Sequence, residues 1–434
     1  MKKVVLLAPY FLPRRRVGAW RPFKFAIHLR KYGWAPYIIT IKENKGSLTA
    51  KEASLLADIP VYEIKSPFDF THNLSRHLDI NGQADNQNNS VTEDVPAFNH
   101  VLDTIDRYFP IDTWLPLFLI RQRNIENYIR KIDPQVLWST GDPWSNHWLA
   151  RTLAENLNVP WVADFRDPWT LSNIASRERP NVTHRINREQ EKKIVQRASV
   201  LTFTARQTEK LYTQKYGDDI EQTTTIYNSF DSKLFNTHKN GAKYFSDETL
   251  NLLFFGKFRQ LSPAQSFIEL LKRIRDQNPT ISDKIRMYSF GSLCSQDKIL
   301  ARKMGVLDNF ISLKPIALEN ALSVLTQADI LWLSTHQDRR NIIPAKLWDY
   351  LAARRPVISV APNPEISEIL HQTGAGLQFD INNSAIVDKL CQAARAKEKG
   401  QPMPVSTNFD GKIIKQYDAA RTTRKLADVF DRLS

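Results

Sequence analysis

The stretch VLWSTGDPWSNHWLARTLAENLNVPWVADFRDPWT, from Val136 to Thr170, holds the pattern on which the fold turns. Val136 to Ser139 is a short apolar run, Trp161 to Ala163 is another, and a longer amphipathic segment separates them. Apolar runs without polar alternation predict strands buried on both faces, which a parallel sheet covered by helices provides. The same rhythm extends outward, to Val4–Ala8 and Tyr37–Ile41 upstream and to Val200–Thr204 downstream. A second series begins at Leu250–Phe255 and runs through Lys284–Phe290, Phe310–Leu313, Ile330–Ser334, Val357–Val360 and Gly376–Phe379. The expected fold is therefore α/β, with two Rossmann-like, doubly wound parallel-sheet lobes.

A chain of 434 residues exceeds what one core usually organises, which agrees with two lobes. We expect domains at 1–226 and 227–409, followed by a helical tail at 410–434. Residues 79–99, rich in Asn and Gln, break the rhythm and are expected to form a mobile surface insertion.

Hydrophobic residues at 42% and charged residues at 24% place the chain among globular proteins. Its two cysteines, Cys294 and Cys391, make neither a disulfide framework nor a metal cluster, and point to a reducing compartment. The first apolar run meets Pro9 and then Arg14, Arg15 and Arg16 without a small-residue cleavage site, so it reads as a strand rather than a signal peptide. No run approaches the roughly 20 apolar residues of a spanning helix. A cytoplasmic protein is expected, with a peripheral place on the inner face of the membrane as an option.

The net charge of +14 favours polyanionic partners: nucleic acid, anionic lipid or phosphate-bearing substrates. It concentrates in Arg14, Arg15, Arg16, Arg21, Lys24, Arg30 and Lys31, a stretch without acids and interleaved with Trp20, Phe23, Phe25, Ile27 and Leu29. Such a basic amphipathic helix can lie on a membrane, or it can bury one face and solvate the other.

Ligands of open α/β sheets bind beyond the carboxyl ends of the strands, so the loops that follow strands carry the chemistry. After the first strand, Gly18 can admit a phosphate close to the backbone, with Arg15 and Arg16 beside it, or can simply make a turn. After the strand at Trp161, Asp164 and Asp167 flank Arg166. These carboxylates can orient hydroxyls or act as a base, or Arg166 can pair with them to hold the loop. Asp142 and His147 follow the preceding strand. In the third segment Pro344 fits a helix first turn, leaving the N–H groups of Ala345 to Leu347 for a diphosphate with Lys346 adding charge. Asp349, on the same helix, can accept from the two hydroxyls of a ribose or can interact with the helix dipole.

Asp164-Phe-Arg-Asp-Pro-Trp169, Arg21-Pro-Phe-Lys24-Phe-Ala with Tyr32-Gly-Trp34, and Ile343-Pro-Ala-Lys346-Leu-Trp-Asp349-Tyr-Leu-Ala together resemble a retaining glycosyltransferase of the GT-B fold. The likeness is to glycosyltransferase family four, the bacterial cell-surface sugar transferases, and it covers nearly the whole chain. It implies two lobes facing a crevice, an acceptor site on the first and a nucleotide-sugar site on the second, and a tail helix that crosses back to the first lobe. It implies a nucleotide diphosphate-sugar donor, a glycan or lipid-linked acceptor, and no cofactor or metal. In the pattern Asp349 stands where members have a ribose-binding glutamate, and Asn341 where many have a second glutamate touching the donor sugar. Lys257 stands at a basic residue for the diphosphate, assisted by Arg259, while Ser262 and Pro263 occupy the stretch where a second basic residue is common.

On this reading Asp167, Arg166 and Lys257 are the catalytic candidates. Gly18, Lys257, Arg259, Asn341, Pro344, Lys346, Leu347 and Asp349 are the donor-binding ones. Arg15, Arg16, Asp142, His147 and Asp164 are expected at the acceptor. Cations aimed at the breaking diphosphate bond stabilise the transition state. The alternatives are a nucleotide-sugar epimerase of the same fold, which would turn over donor without acceptor, a donor-binding scaffold with little catalysis, and a basic nucleic-acid-binding protein, for which no recognition motif is present.

Overall fold

Strand β1 (Lys2–Leu7) shows why apolar runs become central strands: Val4, Val5, Leu6 and Leu7 are each 1% exposed or less, with parallel neighbours on both edges. In the computed structural model the described residues are 1–43, 46–65, 108–172, 180–235, 243–259, 261–314, 316, 320–405 and 408–434. The expected insertion at 79–99 lies outside them.

Two all-parallel sheets organise the chain. The first holds β1, β2 (Trp34–Ile41), β3 (Val61–Ile64), β4 (Val136–Gly141), β5 (Trp161–Phe165), β6 (Val200–Phe203) and β7 (Thr223–Thr225), in the spatial order β3-β2-β1-β4-β5-β6-β7. The second holds β8 (Leu250–Phe254), β9 (Ile285–Phe290), β10 (Phe310–Leu313), β11 (Ile330–Leu333), β12 (Val357–Ser359) and β13 (Gly376–Gln378), in the order β10-β9-β8-β11-β12-β13. Each sheet has its own apolar core. The chain divides into unit 1, Met1–Asn228 with Ala419–Ser434, and unit 2, Ser229–Asp418.

Among the helices of unit 1 are α1 (Val17–Leu29), α2 (Leu115–Ile132), α3 (Ser145–Leu157) and α4 (Asn181–Arg197). Unit 2 includes α5 (Lys346–Ala353), and α6 (Ala419–Leu433) returns the chain to unit 1. Helix α1 places Phe23, Phe25 and Leu29 inside the lobe at 1% exposure or less. The buried-face reading of this basic helix therefore replaces the membrane-surface one, because its aromatic side is consumed by the core.

The tail differs from a single helix over 410–434. Asp410 caps a short turn at Gly411–Ile414 by accepting from the Lys412 and Ile413 N–H groups, and Asp418 is extended before α6 begins. The break lets Tyr417 pack on Trp348 of unit 2, with ring centres 5.0 Å apart, while α6 packs on α1. In α6 the Phe430 ring lies 5.2 Å from that of Trp34, the Asp431 carboxylate accepts from Trp34 Nε1 at 3.1 Å, and Tyr32 donates to the Ala420 carbonyl at 2.7 Å. No helix among the described residues is long and apolar enough to cross a membrane.

Phe430 is fully buried, so Phe430→Ala is expected to cost unit 1 about 3–5 kcal/mol through lost contacts and the cavity left behind. Denaturant unfolding followed by tryptophan fluorescence measures it, and a loss under about 1 kcal/mol would show that α6 does not support the lobe.

Candidate functional site

In an open parallel sheet the ligand crevice opens at the carboxyl ends of the strands, where the strand order reverses. That point lies between β1 and β4 in the first sheet and between β8 and β11 in the second. The chemistry-bearing loops of both lobes emerge at or next to these points.

In unit 1 the loop after β5 is anchored by Asp164. Its carboxylate, with no exposed surface, accepts from Arg21 Nε at 2.9 Å and Nη2 at 2.7 Å, from Thr140 Oγ1 at 2.9 Å and from Thr202 Oγ1 at 2.7 Å. Burial pushes its pKa up, but Arg21 and the two hydroxyls outweigh burial and hold it below the ordinary carboxylate value. A carboxylate this enclosed has no oxygen left for an acceptor, so Asp164 is an internal anchor rather than an acceptor ligand. His147 is likewise inside: Nδ1 lies 2.7 Å from Ser139 Oγ, and burial drives its pKa down to about 3. With no exposed surface it does not reach a substrate.

Arg166 and Asp142, by contrast, meet each other directly. Arg166 donates from Nε to the Gly141 carbonyl at 2.7 Å and from Nη2 to the Asp142 carbonyl at 2.5 Å and carboxylate at 2.6 Å. The Asp142 side chain stays 62% exposed. Asp167 follows Arg166 at the loop surface, partly exposed. Tyr10, from the loop after β1, has its phenol pushed up to about 12 by burial and then by the nearby Asp142 charge, and the Arg16 guanidinium lies 4.8 Å from its ring centre.

Gly18 has a packing reason. A Cβ there would stand 1.8 Å from the Arg166 guanidinium, so the close approach it permits is filled by the protein's own arginine and not by a phosphate. Arg14 pairs with Glu43 at 2.6 Å, and Arg15 grips Glu52 with both terminal nitrogens, which spends two of the three loop arginines inside the lobe. Glu191 on α4 was not legible as part of this region. Fully buried, it receives the Thr170, Tyr212 and Tyr216 hydroxyls and the Thr170 N–H, and so fixes the far end of the Asp164–Thr170 segment. Burial raises its pKa and those donors offset part of the rise.

In unit 2 the clamp is Tyr350. Its hydroxyl donates to the Trp332 carbonyl at 3.0 Å and accepts from the Phe255 N–H at 2.9 Å, which pins α5 to the ends of β11 and β8. The two loops are tied to each other by the His336 N–H bonding the Leu261 carbonyl at 3.1 Å. Above this frame the Lys346 ammonium sits 3.4 Å from the centre of the Phe254 ring, beside Gly256, whose φ of +132° and lack of a side chain leave room for it.

Burial first, then the charges of Arg259 and Arg339, lower the Lys346 pKa to about 7, against a smaller opposing effect of Asp349. The charges of two arginines and one acid thus act on this amine. Arg339, only seven positions before Lys346, went unread because its loop offered no motif around it. Lys257 is exposed and lays its methylenes over Gly291. Ser262 closes the turn from Arg259 through reciprocal backbone bonds of 3.0 and 2.8 Å.

The run of N–H groups at the start of α5 is shorter than the sequence suggests. Helix α5 begins at Lys346 with Ala345 as its cap, and the N–H groups of Leu347 and Trp348 bond the carbonyls of Pro344 and Ala345. Pro344 thus precedes the first turn instead of opening it, and the Leu347 N–H is taken up by the chain itself. Asn341 and Asp349 are both partly exposed and flank this start of α5 in sequence.

No protein-family model and no curated protein sequence matches the chain. Solved structures do. Sucrose-phosphate synthase from Thermosynechococcus elongatus is similar over 100% of this chain and 99% of its own, with a TM-score of 0.67 and 13% identity. HepE from Anabaena, solved in complex with UDP and glucose, matches over 100% of both chains with a TM-score of 0.62 and 12% identity. A lipopolysaccharide outer core galactosyltransferase, WaaB in its apo form, does so with a TM-score of 0.56 and 9% identity. At these identities the likeness establishes the fold: two parallel-sheet α/β lobes of the GT-B glycosyltransferase type.

Two predictions separate anchors from surface groups. Asp164→Ala strands a buried guanidinium and is expected to cost about 3–5 kcal/mol of stability, whereas Asp142→Ala, at an exposed carboxylate, should stay within about 1 kcal/mol. Equal losses in denaturant titrations would refute the distinction. For Lys346 the folded pKa lies below the unfolded one, so the folded state binds fewer protons between about 7 and 10.5 and stability rises with pH over that window. Lys346→Met should therefore be more stable than wild type near pH 6, with the gap closing toward about pH 10. A gap independent of pH would contradict a depressed amine.

Proposed function

We propose that the chain is a glycosyltransferase that moves a sugar from a nucleotide diphosphate donor, held by the second lobe, to a glycan or lipid-linked acceptor received at the first, in surface polysaccharide synthesis. The observation that carries this reading is the Lys346 amine at the start of α5, seated over Phe254 beside Gly256 at the switch point of a sheet in a GT-B fold, with the charges of Arg259 and Arg339 acting on it. Such a point collects anions, and preset cationic charge there suits a diphosphate rather than a single carboxylate.

Charge flow gives the mechanism. The acceptor hydroxyl oxygen bonds to the anomeric carbon while the bond from that carbon to the diphosphate oxygen breaks, and negative charge grows on the departing phosphate. Lys346, Arg259 and the N–H groups at the start of α5 meet that charge without having to reorganise. The acceptor's proton passes to the departing phosphate on the same face, which retains the anomeric configuration and needs no covalent nucleophile. Asp349 accepts from the ribose hydroxyls, and Asn341 faces the sugar. The cation cluster can supply the charge that a divalent metal would bring, so transfer is expected to survive chelation. In unit 1, Arg166 orders the Asp142 loop and Asp167 stands beside it for acceptor hydroxyls. Asp164 and His147 serve from inside.

Isothermal titration against UDP, GDP, ADP, CMP and dTDP is the direct test. One nucleoside diphosphate should bind at micromolar affinity, and Lys346→Ala and Asp349→Ala should each weaken it by about 1.5–3 kcal/mol, as expected for hydrogen bonds to charged groups. If none of the five binds, or if both variants bind like wild type, the donor site is misplaced.

A further inference from the structure

We propose that Glu191 is a positioning residue for the acceptor side of the reaction: it holds the Arg166–Asp167 loop in place through Thr170, Trp169 and Tyr212 and touches no substrate itself. This inference rests on the glycosyltransferase reading and adds to it a requirement for a carboxylate remote from the loop in sequence. The loop leaves the Asp164 anchor at one end, where the charge is met by Arg21. At the other end stands a second carboxylate with no exposed surface, and its hydrogen-bond partners are all neutral.

Glu191 Oε1 accepts the Thr170 N–H at 3.2 Å and the Tyr212 hydroxyl, and Oε2 accepts the Tyr216 hydroxyl at 2.8 Å and the Thr170 hydroxyl. An ionised carboxylate offers about four acceptor positions and no donor, so these partners fill it. The Tyr212 hydroxyl is committed in both directions, giving its proton to Glu191 and receiving the Trp169 N–H at 3.0 Å. Two successive backbone N–H groups therefore depend on one carboxylate, Thr170 directly and Trp169 through a phenol. Upstream, the Thr204 hydroxyl after β6 donates to the Arg166 carbonyl at 2.5 Å. The Trp169 ring stacks on that of Trp144, with centres 5.3 Å and planes 11° apart, which ties the loop to the segment that carries Asp142. Asp167 is thus suspended between the Arg166 peg and the Glu191 pegs.

The chemistry of the pegs demands the ionised form. A protonated carboxyl gives up an acceptor position and gains a donor, for which only a hydroxyl that turns round can make room. The Thr170 and Tyr216 hydroxyls can turn, but the Thr170 N–H and the Tyr212 hydroxyl, already receiving Trp169, cannot. A neutral group at 191 therefore slackens the loop without emptying the core. Both phenols stay donors, because burial and then the Glu191 charge raise them. The Arg188 charge, one turn earlier on α4, acts on Tyr216 as well. Burial raises the Glu191 pKa and the donors offset part of the rise, so the full set of bonds is present at high pH and is lost as pH falls through that raised value.

Hydrogen exchange of the full chain tests this, read on peptides covering residues 164–172 and corrected for the intrinsic rate. In wild type, protection of the segment is expected to fall about tenfold or more as pH drops from about 7.5 to about 5. Glu191→Gln should show the lowered protection at about pH 7.5 already and little change with pH, while peptides from β4 and β6 keep wild-type protection. Thr170→Val, which leaves Glu191 and both tyrosines in place, should slacken the segment too, and it guards against misfolding of the Gln variant. In transfer assays with the nucleotide sugar whose diphosphate binds, and p-nitrophenyl glycosides as acceptors, Glu191→Gln should raise the acceptor KM about tenfold and leave kcat and the donor KM within about twofold. The proposal is overturned if Glu191→Gln is protected like wild type, if its pH dependence survives the substitution, or if the donor KM rises along with the acceptor KM. Wild type that binds no nucleoside diphosphate overturns the glycosyltransferase reading and the acceptor role with it, while the exchange data still show whether Glu191 holds the loop.

Discussion

The first lobe depends on one ion pair. Asp164 leaves β5 and takes hydroxyls from β4 and β6 on either side, while Arg21 reaches it from α1 and spends its remaining nitrogen, Nη1, on the Tyr227 carbonyl at 3.0 Å and Asn228 Oδ1 at 3.3 Å. Three strands, one helix and the segment leading out of unit 1 thus share one buried charge pair. Burying a charge is costly unless every polar atom finds a partner, and here the partners come from different elements. The pair acts as a locator more than a source of stability. Because Arg166 and Asp167 follow within three residues of Asp164, after the buried Phe165, the same anchor sets where their loop begins.

The second lobe solves the equivalent problem without charge. Tyr350 uses a neutral hydroxyl to tie α5 to β8 and β11, so no charge is consumed in holding the helix to the sheet. Lys346 is held in a poor environment for an ammonium, buried and near the charges of two arginines, with the Phe254 ring offsetting part of the cost. Strain of this kind is tolerated where binding relieves it, and it cannot be found by adding up favourable contacts.

The two-lobed α/β architecture was legible because most strands carry apolar runs, and eleven of the thirteen strands among the described residues showed in the sequence. Strands β3 and β7 did not, since edge strands are half solvated: Val61 is 40% exposed, and β7 is three threonines. The segments holding Arg166, Asp167, Lys346 and Asp349 were found by their place after strands. Their division into anchors and surface groups was not, because the partners of Asp164 and Arg15 lie far away in the chain. Nothing local to Asp164 reveals Arg21, and nothing local to Gly18 reveals the guanidinium over it. Glu191 escaped for the same reason, Arg339 because no motif surrounds it, and Pro344 misled because a proline one residue before the cap looks like one in the first turn.

Residues 229–418 form their own unit, and they enter and leave side by side, with Phe230 bridged to Asp418 and Ser232 bonded to its carboxylate at 3.0 Å. In order of synthesis, unit 1 is therefore begun first and finished last. At ~5–20 residues per second, translation of the intervening unit would take on the order of 10–40 s. Through that interval Trp34 and the α1 surface wait uncovered for α6, so the emerging first lobe presents apolar surface to chaperones until α6 leaves the ribosome.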